Sequence, residues 1–174
     1  MARRAGVVTE ESGLMRFDDL AKDDARALLL RCMSAPDWAE RVLVERPFGT
    51  KERLLAAADR ASRELSEDDV RAALAGHPRI GERASAGHNA AASAEEQAGV
   101  ASTSSGDVTE RLVEGNRAYE ERFGQVFLVR AAGRSSAEIL TELDRRLDNP
   151  PDVEHEEMLD NLRQIALLRL ENEV

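Results

Sequence analysis

From Phe17 to Leu170 the apolar residues recur at helical spacing, and nearly every stretch is bounded by a residue that starts or stops a helix. Hardly any segment alternates apolar and polar residues as a half-buried strand would, so the chain is restricted to helix packed on helix. Ala25, Leu28, Leu29 and Cys32 share one side of a helix from Asp23 to Met33, and Pro36 opens a second that carries Trp38, Val42 and Leu43 before Pro47 stops it. Thr50 caps a third, with Leu54, Ala58 and Ala61 at helical spacing. Ser66 caps a fourth, and Glu67, Asp68 and Asp69 occupy its first turn, where the helix dipole favours acids. Ser93 and Glu96 have capping-box spacing, and Ser135 and Glu138 repeat it. Between these boxes, Asp107 is expected to cap a helix with Leu112, Asn116, Tyr119 and Phe123 on one face and Gly124 at its end. Gln125 to Ala131 is short, apolar and extended, the one strand-like segment. Asn149, Pro150 and Pro151 then precede a last helix, expected from about Asp152 to Leu170. The reading is an all-α fold, a single domain of about seven or eight helices over residues 17–174, behind a flexible N-terminal tail at residues 1–16.

Composition narrows the partners. A length of 174 residues suits one domain. The charge balance, 24 − 34 = −10, disfavours nucleic acid and anionic membranes, both of which demand clustered positive charge. No run approaches the ~20 apolar residues that span a bilayer. Arg3 and Arg4 have no apolar stretch behind them, so the start does not read as a secretory signal and the protein is expected to be cytoplasmic. Cys32 is the lone cysteine, and with His77, His88 and His155 it offers no metal-ligand spacing, so no metal site is expected. Only Lys22 and Lys51 are lysines, both placed at exposed helix ends. Imine chemistry, on substrate or through pyridoxal phosphate, requires a lysine in a pocket, and this chain offers none that reads as buried.

A few residues stand out against that background. Arg169 falls on the core-facing stripe of the last helix with Met158, Leu162, Ile165 and Ala166. It either has a buried partner or ligand, or it snorkels to water from a frayed helix end. His77 lies between Gly76 and Pro78 just past a helix end, where it either caps the helix or is held for chemistry. Glu96 either closes its capping box or serves as a ligand. Asn116, among Leu112, Tyr119 and Phe123, reads as a core amide that pins neighbouring backbone. The acidic run from Glu154 to Glu157 reads as a solvated first turn.

Taken together, five segments resemble the 2-oxo-4-hydroxy-4-carboxy-5-ureidoimidazoline (OHCU) decarboxylase family. They are His77-Pro78-Arg79-Ile80-Gly81-Glu82, Ser93-Ala94-Glu95-Glu96-Gln97-Ala98-Gly99, the stretch from Asn116 through Tyr119, Phe123 and Gly124 to Val129, Arg145-Arg146-Leu147-Asp148-Asn149, and Leu168-Arg169-Leu170. Each is weak alone, but their order and spacing make the set specific. The resemblance implies an all-α, cofactor-independent homodimer of urate breakdown that converts OHCU to (S)-allantoin with loss of CO2. It leaves room for functional association with other urate-pathway enzymes. It further implies a catalytic set of His77, Glu96 and Arg169, with His77 as proton donor. Substrate contacts are implied for Pro78, for Ser93, Ala94, Glu95, Glu96 and Gln97, for Phe127, Leu128, Val129, Arg130 and Ala131, and for Arg169. Many members follow His-Pro with Asp-Leu-Ala-Gly. This chain has Arg79-Ile80-Gly81-Glu82 instead, a departure that bears on pocket detail rather than on the reaction. The alternative is a non-catalytic all-α interaction protein derived from the same family.

Overall fold

The computed structural model describes residues 17–77, 79–80 and 106–174. The expected tail at residues 1–16, Pro78, and the segment holding Ser93, Ala94, Glu95, Glu96 and Gln97 lie outside the described residues. The fold is all-α: α1 (Lys22–Cys32), α2 (Pro36–Leu43), α3 (Lys51–Ser62), α4 (Glu67–Ala75), α5 (Gly106–Phe123), α6 (Ser136–Leu147) and α7 (Pro151–Glu173) follow in order. None of the described residues forms a strand. The chain divides into two compact units, Met1–Ala72 with Ile165–Val174, and Ala73–Gln164.

In the first unit the apolar stripes are buried as their spacing requires. Ala25, Leu28, Leu29 and Cys32 of α1, Trp38, Ala39, Val42 and Leu43 of α2, and Leu54, Ala57, Ala58 and Ala61 of α3 are all withdrawn from water. The Trp38 indole N–H donates to the Ala58 carbonyl at 3.0 Å, which satisfies the one polar atom this large ring takes inside. Thr50 caps α3 by accepting from the Arg53 amide. At the start of α4, Ser66 and Asp69 form a reciprocal box: the Ser66 hydroxyl accepts from the Asp69 amide at 3.1 Å and donates to its carboxylate at 2.8 Å. Asp69 also accepts from the Asp37 amide at the start of α2, so one buried carboxylate serves two helix N-termini. Lys51 donates to the carbonyls of Glu171 and Val174, covering orphan acceptors at the end of α7.

The second unit is built on the packing of α5 against α6. Gly115 permits the close approach, because a Cβ there would stand 2.6 Å from Leu143 Cδ2. Leu112, Tyr119, Phe127, Val129, Ala131, Ile139, Leu140, Leu143 and Ile80 form its core. Gly124 ends α5 with φ +71°, a left-handed position that favours glycine, and its amide closes on the Glu120 carbonyl. Ser135 and Glu138 form the expected capping box on α6. Asp107 lies inside the first turn of α5 rather than capping it.

Two expectations for α7, its end and its first turn, are corrected, and one of the two alternatives for Arg169 is removed. The helix continues to Glu173 instead of ending near Leu170, and Arg169 is only 6% exposed, so it does not snorkel from a frayed end. Glu154 is not part of a solvated turn but is fully buried, while Glu156 and His155 are exposed as expected. The reason is angular. Glu154 stands four residues before Met158, on the same stripe as the apolar residues, and is therefore carried inward with them.

Candidate active site

His77 follows the last turn of α4, whose final carbonyls have no intrahelical partner. The His77 amide donates to Leu74, and its Nδ1 lies 2.8 Å from the Ala73 carbonyl oxygen. A carbonyl only accepts, so Nδ1 carries the hydrogen in this bond and the neutral ring has its lone pair on Nε2. The cap engages Nδ1 alone, so the two readings of His77 are compatible.

The turn after His77 is held by α5. Asn116 Nδ2 donates to the Ile80 carbonyl at 2.9 Å, which is the backbone-pinning role expected of this buried amide. Arg79 forms a two-pronged ion pair with Glu120, one turn further along α5, and holds the Glu120 carboxyl below the usual carboxylate range.

Residues 127–131, within the stretch the sequence marks as strand-like, form neither helix nor strand, yet Phe127, Leu128, Val129 and Ala131 are buried and only Arg130 is exposed. A buried polar network anchors them. Arg146 is fully buried; its Nη1 donates to the Leu128 carbonyl at 2.7 Å, and its Nε donates to Glu154 Oε1 at 2.9 Å. Tyr119 donates its hydroxyl to Glu154, and Asn149 Nδ2 reaches Glu154 Oε2 at 2.8 Å. The Arg146 guanidinium lies 4.9 Å from the Phe127 ring centroid, within cation–π range. Burial, followed by the bond to Glu154, raises the Tyr119 phenol above its ordinary value and keeps it a donor at neutral pH. On the other side of the segment, Asn161 Oδ1 accepts from the Arg130 amide at 3.0 Å. The sequence carried a signal for this network: Arg146 continues the α6 stripe of Ile139 and Leu143, and Glu154 begins that of α7.

Arg169 belongs to the other unit, where its Nη1 lies 3.5 Å from the Cys32 carbonyl near the end of α1. Cys32 is buried, and desolvation, with Glu173 adding, pushes its thiol up to about 12, so it is neutral at physiological pH. Among the described residues, no three His, Cys, Asp or Glu side chains gather as metal ligands, and no helix is long and apolar enough to cross a membrane.

The chain matches known proteins along nearly its whole length. The OHCU decarboxylase family model matches residues 18–171, and the chain belongs to that family. It is 31% identical over 136 residues to 2-oxo-4-hydroxy-4-carboxy-5-ureidoimidazoline decarboxylase of Haloferax volcanii, covering 78% of this chain and 80% of that protein. It is 30% identical over 142 residues to the uric acid degradation bifunctional protein TTL of Arabidopsis thaliana, covering 80% of this chain. The match spans only 44% of that plant protein's length. A crystal structure of OHCU decarboxylase in the presence of (S)-allantoin is similar with a TM-score of 0.71 and 27% identity, over 82% of this chain and 94% of that one. A crystal structure of (S)-allantoin synthase shares the fold, with a TM-score of 0.70 at 17% identity over 92% of this chain and 54% of that one.

Proposed function

We propose that this protein is a carboxy-lyase that decarboxylates OHCU to (S)-allantoin in urate breakdown, without a cofactor. The observation that carries this reading is the family match from residue 18 to residue 171. The chemistry suits the residues. The carboxylate of OHCU sits on a ring carbon beside a C=N bond, so when the C–C bond breaks and CO2 departs, the electron pair flows into that imine. One proton then adds to carbon and forms a new C–H bond. The protein must supply orientation, charge complementarity and a proton on one face.

Protonated on both nitrogens, His77 delivers that proton from Nε2 while Nδ1–H stays on the Ala73 carbonyl, which returns the ring to the neutral form with its lone pair on Nε2. Arg169 holds an anionic or carbonyl group of the substrate with its planar fork. Glu96 accepts from ring or ureido N–H groups, and Pro78, Ser93, Ala94, Glu95 and Gln97 line the same substrate. Residues 127–131 offer backbone groups that no helix consumes. The poverty in lysine fits a reaction that carries its own electron sink. The protein acts as a cytoplasmic homodimer, in functional association with other urate-pathway enzymes.

The decay of OHCU followed by circular dichroism, with and without the protein, tests the proposal. Accelerated, stereospecific formation of (S)-allantoin that survives chelator and carbonyl reagents is the expected outcome. No acceleration by a folded protein would return the chain to the interaction-protein reading, and activity lost to chelator and restored by one metal would overturn the cofactor-free mechanism.

A further inference from the structure

The turn that follows His77 is braced by side chains for which the reaction itself has no use. Glu120 receives both the Nε and the Nη2 hydrogens of Arg79, the second at 2.7 Å. Four residues earlier on α5, and so on the same face, Asn116 holds the Ile80 carbonyl. Ile80 itself is locked into the core beside Leu112, Tyr119 and Val129. On the other side of His77, the ring is tied to the last turn of α4 through Ala73. Consecutive Cα atoms are ~3.8 Å apart, so fixing residues 79 and 80 on one side and the helix end on the other leaves His77 little freedom of position.

We infer that Arg79, Glu120 and Asn116 are positioning residues for His77, which together set where Nε2 stands; this rests on the reading of His77 as the proton donor. The Arg79 and Glu120 side chains are 45% and 26% exposed, and a pair so open to water adds little to stability. Its two-pronged geometry is nevertheless directional, and proton transfer is far more sensitive to a small displacement than folding is.

The test compares Arg79→Gln, Glu120→Gln and the reversed pair Arg79→Glu with Glu120→Arg in the full chain. Turnover of OHCU is measured together with melting temperature and the His77 tautomer, read from nitrogen–proton NMR correlations in the free protein. Each single variant is expected to lower kcat about 5- to 20-fold with KM within about twofold. Melting temperature should scarcely move, while the His77 signal shifts from the Nδ1–H form toward a mixture. The reversed pair should restore kcat to within about threefold of wild type, because it remakes the ion pair. Single variants with wild-type kcat and an unchanged His77 signal would overturn the inference. So would a rise in KM that reversal does not rescue, which would make Arg79 a substrate contact, or a kcat loss that only follows unfolding. If the wild type does not turn over OHCU, the functional reading fails instead, and the tautomer comparison still decides the brace.

Discussion

Arg146 and Glu154 form an ion pair closed off from solvent, with side-chain exposures of 0% and 1%, and the Arg146 guanidinium also holds the Leu128 carbonyl. A charge pair taken out of water persists only where geometry and further hydrogen bonds offset desolvation. Here Tyr119, Asn149 and the Leu128 carbonyl supply those bonds. The network fastens residues 127–131, which form no helix or strand, to α5, α6 and α7, so the backbone groups proposed to meet substrate are set by buried charge rather than by a sheet.

Glu154→Gln leaves the Arg146 charge buried with half its nearer partner gone and only the partly exposed Glu157 carboxylate, 3.6 Å from Nε, to offset it. The expected cost is about 3 kcal/mol in urea-induced unfolding, within the range for breaking a buried pair. Arg146→Met combined with Glu154→Leu should lose less than the sum of the two single changes, since no lone charge remains inside. A Glu154→Gln loss below about 1 kcal/mol would show that water reaches the pair.

His77→Asn and His77→Ala separate the two nitrogens of the ring. Asparagine can still donate from near the Nδ1 position to the Ala73 carbonyl but cannot exchange a proton at neutral pH. Both variants should therefore lose kcat by roughly 100-fold or more, whereas only His77→Ala should also lose about 1 kcal/mol of stability. An active His77→Asn variant would leave the residue as a helix cap.

The helices were legible because their signals are local. Ser135 and Glu138 are three residues apart, and the stripes of α1 to α3 need only an 11-residue window. Asn116 was read correctly as a core amide because its neighbours at helical spacing are apolar. What escaped was pairing at a distance. Arg79 and Glu120 are 41 residues apart, and nothing in either neighbourhood names the other. Glu154 was misread for another reason: an acidic run at a helix start reads as a solvated turn, and that expectation outweighed its place on the Met158 stripe. The Arg169 stripe was legible, yet its burial depends on α7 reaching Glu173. The proposed site is legible in sequence only through the five ordered motifs, since no periodicity marks a ligand.

Gly115→Ala sets helix propensity against packing. Alanine in place of glycine favours an α-helix by about 1 kcal/mol. The new methyl would stand 2.6 Å from Leu143 Cδ2, and Leu143 is fully buried, so it has nowhere to retreat. Overpacking costs about 1–3 kcal/mol and should win, giving a lower melting temperature in spite of the better helix former. A stabilised variant would mean that α5 and α6 can separate freely at this point.

Arg169→Lys distinguishes a ligand from a strut. If Arg169 only supports the end of α1 through the Cys32 carbonyl, lysine should retain turnover at a stability cost of about 1 kcal/mol. If its fork holds substrate, KM should rise about tenfold or more in a protein of nearly unchanged melting temperature, because an ammonium cannot form two parallel bonds. The second result is expected.

Cys32 provides a pH signature of the same region. Its thiol is pushed up to about 12 in the folded protein from an ordinary 9.0, chiefly by burial. Below pH 9 both folded and unfolded chains hold the proton, and the group contributes no slope. Between pH 9 and about 12 the unfolded chain releases the proton while the folded chain keeps it, so stability falls as pH rises through that window. Cys32→Ala should flatten that part of the alkaline decline, even though the lost sulfur lowers stability at neutral pH. At pH 8 a disulfide reagent should label the native protein at least about tenfold more slowly than the urea-unfolded chain, because only a buried, neutral thiol is presented. Equal labelling rates would show that the end of α1 opens readily, and the raised thiol value would then not describe the protein in solution.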